Sequence, residues 1–139
     1  MKKAYIVYLS IIFAVLISVC TFSSCKKSDS TKTTTNANVA GSWSGTVFNT
    51  GDKTTYTVSF TLAQPAGNIT GEFTTTGANG SVTGTVSGDS IVLILTPAAS
   101  SGYTEVDTFK GMDNAAANEI TGTFSSTVNT SGTFDIKKN

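Results

Sequence analysis

The chain has 139 residues, 39% of them hydrophobic and 13% charged, and nine lysines balance nine acids in the absence of any arginine or histidine. That length allows one domain. Without histidine there is no Ser-His-Asp or Cys-His nucleophile pair and no His-bearing zinc site; without arginine and with zero net charge, nucleic acid is not an expected partner. What remains is a non-enzymatic, all-β protein with no cofactor.

Lys2 and Lys3 precede an almost wholly apolar run from Ala4 to Val19, followed by Cys20-Thr-Phe-Ser-Ser-Cys25 and Lys26-Lys27. A basic start, an apolar core and small residues at a boundary define a secretory signal. The segment and its Ser23-Ser24-Cys25 boundary resemble a bacterial lipoprotein signal, which implies that residues 1–24 are removed and that Cys25 carries the lipid. Cys25 suits that pattern better than Cys20, which follows bulky Val19. Neither Lys26 nor Lys27 is the aspartate that the resemblance associates with inner-membrane retention. The expected place is therefore the outer membrane or cell envelope, anchored through lipid and facing the periplasm or the surface. An uncleaved signal anchor is the alternative, because residues 4–25 are uncharged and about 20 apolar residues span a bilayer.

Residues 25–38 are polar and lack large apolar side chains, so they read as a flexible tether. The domain proper, 39–139, holds only Lys53, Lys110, Lys137 and Lys138 against eight acids. With Cys25 acylated and Cys20 discarded no disulfide forms, and the core alone must supply stability.

From Gly41 apolar and Thr/Ser positions alternate with period two, as in half-buried antiparallel strands. Turn signals fall at 49–52, 64–68, 76–80, 87–90, 97–102, 111–114 and 127–132, which separates eight strands. Four segments repeat apolar, polar, Gly, polar, apolar: Trp43–Val47, Ile69–Phe73, Val82–Val86 and Ile120–Phe124. Glycine stays on the face of the large residues, as where strands coil tightly or an aromatic lies against the backbone. A small closed barrel follows. Its inward set is Trp43, Val47, Tyr56, Val58, Phe60, Leu62, Ile69, Phe73, Val82, Val86, Ile120, Phe124, Phe134 and Ile136, which largely fills an eight-stranded interior and indicates no large cavity.

Gly41-Ser42-Trp43 opening eight meandering strands resembles the calycin superfamily, in which lipocalins and avidin-like barrels are found. The resemblance implies an up-and-down, lipocalin-like barrel with Trp43 plugging one end. It also implies a basic residue near the last strand packed on that tryptophan, and Lys138 has the inward phase for a cation–π contact. An immunoglobulin-like sandwich is the alternative fold, but it places its tryptophan on the third strand rather than the first.

Two strands depart from the alternation. Ile91-Val-Leu-Ile-Leu95 is apolar on both faces, which fits a central strand or a contact patch for a protein partner. In Tyr103–Lys110 the odd positions hold Tyr103, Glu105, Asp107 and Phe109. The preferred reading places the even face inside and leaves the acids in solvent. The other turns both carboxylates inward, about 6.6 Å apart along the strand, as the polar end of a ligand pocket or, less readily, a paired-carboxylate hydrolase. The candidate ligand-binding residues are Tyr56, Phe60, Phe73, Tyr103, Glu105, Asp107 and Phe124, for a small apolar or glycan ligand entering opposite Trp43. A solid barrel docking on another envelope component is the competing expectation. No calcium loop or phosphate cradle is present in the sequence, and no metal site is expected.

Overall fold

A computed structural model describes residues 35–139. The signal segment 1–24, Cys25 and the tether up to residue 34 lie outside the described residues. Eight strands follow one another: β1 (Gly41–Asn49), β2 (Thr54–Ala63), β3 (Asn68–Thr75), β4 (Ala78–Ser87), β5 (Ser90–Pro97), β6 (Asp107–Asp113), β7 (Glu119–Ser126) and β8 (Ser131–Lys138). Each pairs antiparallel with the next, and β8 pairs with β1 to close a barrel. Closure leaves no unpaired edge and excludes the two-sheet sandwich. In the closing seam Trp43 stands opposite Lys138 and Val47 opposite Phe134.

The period-two alternation explains what lies inside. Every residue of the expected inward set is buried except Tyr56, which is half-buried. Val39, Ile91, Leu93, Leu95 and Phe109 join them. Phe109 is the centre of the aromatic core. It stacks with Phe124 (5.5 Å between centroids), tilts against Phe134 (4.8 Å) and meets Phe60 edge-on (6.2 Å).

The repeated glycines sit where strands press together. A Cβ on Gly45 would lie 2.0 Å from the Asp135 carbonyl oxygen, and one on Gly71, Gly84 or Gly122 would lie 2.1 Å from a carbonyl oxygen of a neighbouring strand. No side chain fits there, so the strands can coil into a narrow barrel. Three phenylalanines lean into the same kind of gap. Ring atoms of Phe73, Phe124 and Phe134 lie within 2.8 Å of where a Cβ would stand on Gly80, Gly132 and Gly111.

Residues 36–40 cross the Trp43 end of the barrel. Asn36 Oδ1 accepts from the Gly88 amide, and the Ala37 amide donates to the Gly88 carbonyl. Gln64 holds the same segment from the other side: its Oε1 accepts from Val39 N (2.7 Å) and its Nε2 donates to Ala37 O (2.8 Å). Trp43 Nε1 donates to Val39 O (2.9 Å), and Lys138 Nζ donates to Asn38 O (3.3 Å). Positions 36–38, expected in the tether, are thus fastened to the barrel by polar bonds that hydropathy does not register.

One strand expectation needs correction, in its bounds and in its face. The strand expected at 103–110 begins only at Asp107 and runs to Asp113, so the turn expected at 111–114 falls at 114–118. A 3-10 turn at Ala99–Ser101 and left-handed Gly102 (φ 74°) lengthen the preceding connection. Its inward face is also the odd one: Phe109 and Asp113 are buried and Asp107 is half-buried. Phe109 decides this, because burying a phenylalanine outweighs burying Thr108 with Lys110. The even-face-inward reading is therefore overturned. The run 91–95 alternates as well: Ile91, Leu93 and Leu95 are buried while Ile94 is exposed, which leaves Val92 and Ile94 to face outward.

Candidate functional site at the open end of the barrel

The two barrel ends differ. Trp43, Lys138, Val39 and the 36–40 segment close one. At the other end the turns after β1, β3, β5 and β7 surround a cavity of about 200 Å³. Its walls include Tyr56, Phe73, Phe109 and Phe124, with Tyr103, Glu105, Asp107 and Thr130 toward the rim.

Six of the seven candidate binding residues line this space: Tyr56, Phe73, Tyr103, Glu105, Asp107 and Phe124. They come from four strands and one connection, and the inward phase of each strand explains their convergence. Phe60 is not in the lining; it is buried against Phe109. Tyr103 sits on the connection before β6, half exposed, with its hydroxyl over the turn at Gly77. The residues expected from the sequence do not include Phe109, whose strand is expected with the opposite face inward, or Thr130. Thr130 lies in the β7–β8 turn, where Ser126 Oγ accepts from its backbone amide (3.1 Å) and its own hydroxyl hydrogen-bonds Glu105 Oε1.

Volume for the cavity comes from the glycines. Because Gly80 and Gly132 stand directly opposite Phe73 and Phe124 across the strand pairs, both rings lean onto the wall instead of into the lumen.

The electrostatics are one-sided. Tyr56, Tyr103, Glu105 and Asp107 are the titratable residues of the lining, and no lysine is among them. Asp107 Oδ1 is buried without a hydrogen-bond partner. Burial, then the neighbouring charge of Glu105, raises the Asp107 pKa to about 6. At the rim the Tyr56 hydroxyl donates to Asp52 Oδ2 (2.6 Å), which holds the Asp52 carboxyl below its usual range and raises the tyrosine. At the closed end Asp113 is also buried with an unpartnered Oδ1, and burial pushes its carboxyl up.

No protein-family model matches the chain, and no curated protein matches it. Among solved structures, the redesigned β-barrel mFAP1, bound to DFHBI, is similar with a TM-score of 0.58. Sequence identity is 18%, over 72% of this chain and 94% of that chain, and the likeness is one of fold: a closed, eight-stranded, lipocalin-like barrel.

Proposed function

We propose that this chain is a lipid-anchored, extracytoplasmic barrel that binds a small apolar or glycan ligand through the end opposite Trp43, without catalysis. The observation that carries the reading is the cavity of about 200 Å³ with aromatic walls and a few polar groups at its rim. That is the composition by which small-molecule sites hold a ligand's body and fix its orientation. A barrel of similar fold, mFAP1, is bound to the small molecule DFHBI. The space is below the usual range for drug-sized ligands, so the ligand is compact or enters with one end only.

Two experiments test it. Calorimetric titration of the full chain in lipid nanodiscs with a panel of compact aromatic and monosaccharide probes should give saturable binding that Ala78→Phe, which narrows the cavity, abolishes. Binding that Ala78→Phe leaves intact would place the ligand elsewhere. Anchoring is tested by growing cells on radioactive fatty acid: label should appear on the chain and vanish in Cys25→Ser.

The competing reading is a solid barrel that docks through its outer face. A specific feature favours it: Val92, Ile94 and Met112 lie on the outer wall of β5 and β6, with Ile94 and Met112 exposed. Loss of a co-purifying envelope protein on Ile94→Lys would support that reading. The cavity favours ligand binding.

A further inference from the structure

On the reading that the open-end cavity is a ligand site, we propose that its ligand is a small organic ammonium, with the cation held by Asp107 and Glu105 and an apolar body against the phenylalanines. Charge is the first support. Among the described residues, two carboxylates and two phenols line the cavity and no cationic side chain does. Lys137 and Lys138 end β8 at the closed end, Lys110 is on the outer face of β6, and Lys53 is exposed in the β1–β2 turn at the rim.

An unmet hydrogen bond is the second. Buried carboxylate oxygens normally have partners, yet Asp107 Oδ1 has none. That oxygen is shielded from solvent while the half-buried residue lines the cavity, so a bound cation compensates the carboxylate through its charge or draws Oδ1 round by rotation of the carboxylate. Glu105 is already bonded to Thr130, which fixes the second carboxylate beside the first. An ammonium supplies donors and a compensating charge together. A neutral hydroxyl supplies only the donor, and a carboxylate ligand adds repulsion. The walls suit the rest of such a molecule: Tyr56, Phe73, Tyr103, Phe109 and Phe124 offer π-faces to a cation and apolar area to its body.

Three probes of similar shape separate the charge classes: 2-phenylethylamine, 2-phenylethanol and 3-phenylpropionate. Each is titrated calorimetrically, at pH 7.5, into the full chain in nanodiscs of zwitterionic lipid. The amine should bind about tenfold or more tighter than the alcohol, as one charged hydrogen bond implies, and the carboxylate should not bind. Asp107→Asn should cost the amine most of its advantage, Glu105 retaining the rest, and should change the alcohol far less, because the asparagine amide oxygen can still accept from a hydroxyl. This variant removes a buried charge, so loss of folding does not confound it. The advantage of the amine should shrink at pH 5, where Asp107 takes up a proton. If the alcohol binds as well as the amine, or if the amine ignores Asp107→Asn, the ammonium assignment is overturned while the cavity remains a binding site. If none of the three gives heat that Ala78→Phe removes, both readings fail together.

Discussion

The Lys138 ammonium lies 5.5 Å from the centre of the Trp43 ring, across the seam in which the two residues are direct strand partners. The contact closes one barrel end from both sides of the β1–β8 junction. Its two halves contribute unequally. Trp43 is wholly buried and its indole N–H is satisfied by Val39 O, so Trp43→Ala should destabilise by about 3–5 kcal/mol. Lys138→Met keeps the aliphatic cover and loses the cation–π contact together with the exposed bond to Asn38 O, about 1 kcal/mol in all. Urea denaturation at neutral pH compares them; equal losses would show that Lys138 does more than cover the ring.

Gln64 acts as a substitute strand partner for the segment over that end, accepting from Val39 N and donating to Ala37 O. Gln64→Leu keeps the bulk and removes both bonds, leaving a part-buried amide unpaired. The expected destabilisation is about 2 kcal/mol. Hydrogen exchange at Val39 should accelerate more than exchange at core amides such as Phe60. Uniform acceleration would mean that the segment and barrel open as one unit.

These details separate what periodicity encodes from what it does not. Alternation with glycine in a constant phase specified the barrel and its inward set, because each side chain's face follows from strand parity. The calycin resemblance implies a basic residue on Trp43, and the same parity selects Lys138 for it. In 103–110 the parity of the strand is ambiguous because Thr, Asp and Glu carry little hydropathic contrast, and only Phe109, packed among three other rings, decides the face. Residues 36–38 escaped notice for a different reason: polar backbone bonds hold them. At the site, inward phase located Tyr56, Phe73 and Phe124, whereas Phe109 went with the face of its strand. Thr130 could not be found that way, since a turn rather than a strand places it beside Glu105.

Gly132 makes room for the Phe124 ring: a Cβ there would stand 2.7 Å from Phe124 Cε1 and 1.8 Å from the Phe48 carbonyl oxygen. Gly132→Ala must therefore both part the β1–β8 seam and push Phe124 toward the lumen. We expect about 2–3 kcal/mol of destabilisation together with loss of probe binding. Gly102→Ala is the control: a Cβ there meets nothing within 4 Å, though its left-handed φ of 74° still strains the backbone. It should cost about 1 kcal/mol and leave binding intact. Thermal melts and calorimetry on the same samples separate the two effects. If Gly132→Ala binds normally, Phe124 does not control the cavity.

Asp107 links stability to pH with an inverted sign. Its carboxyl titrates at about 6 in the folded barrel against 3.8 for an ordinary aspartate. Above 6 it is ionised in both states and the folded form bears the desolvation penalty. Below 3.8 it is protonated in both. Between those values the folded state holds the extra proton, so stability rises as pH falls through the window. Discounted for water at the cavity mouth, the difference between 3.8 and about 6 corresponds to about 1–2 kcal/mol. Asp107→Asn should therefore be more stable than the natural chain at pH 7.5 by about that amount, and the advantage should vanish near pH 4. Asp113, also pushed up by burial at the other end, should leave part of the acid stabilisation in place in the variant. Urea midpoints at a series of pH values measure this directly. A half-buried carboxylate with an unpartnered oxygen, weakening the fold, is what a barrel selected for stability alone would replace, and one selected to receive a cation would keep. Destabilisation by Asp107→Asn at pH 7.5 would show instead that the carboxylate already has a favourable partner within the fold.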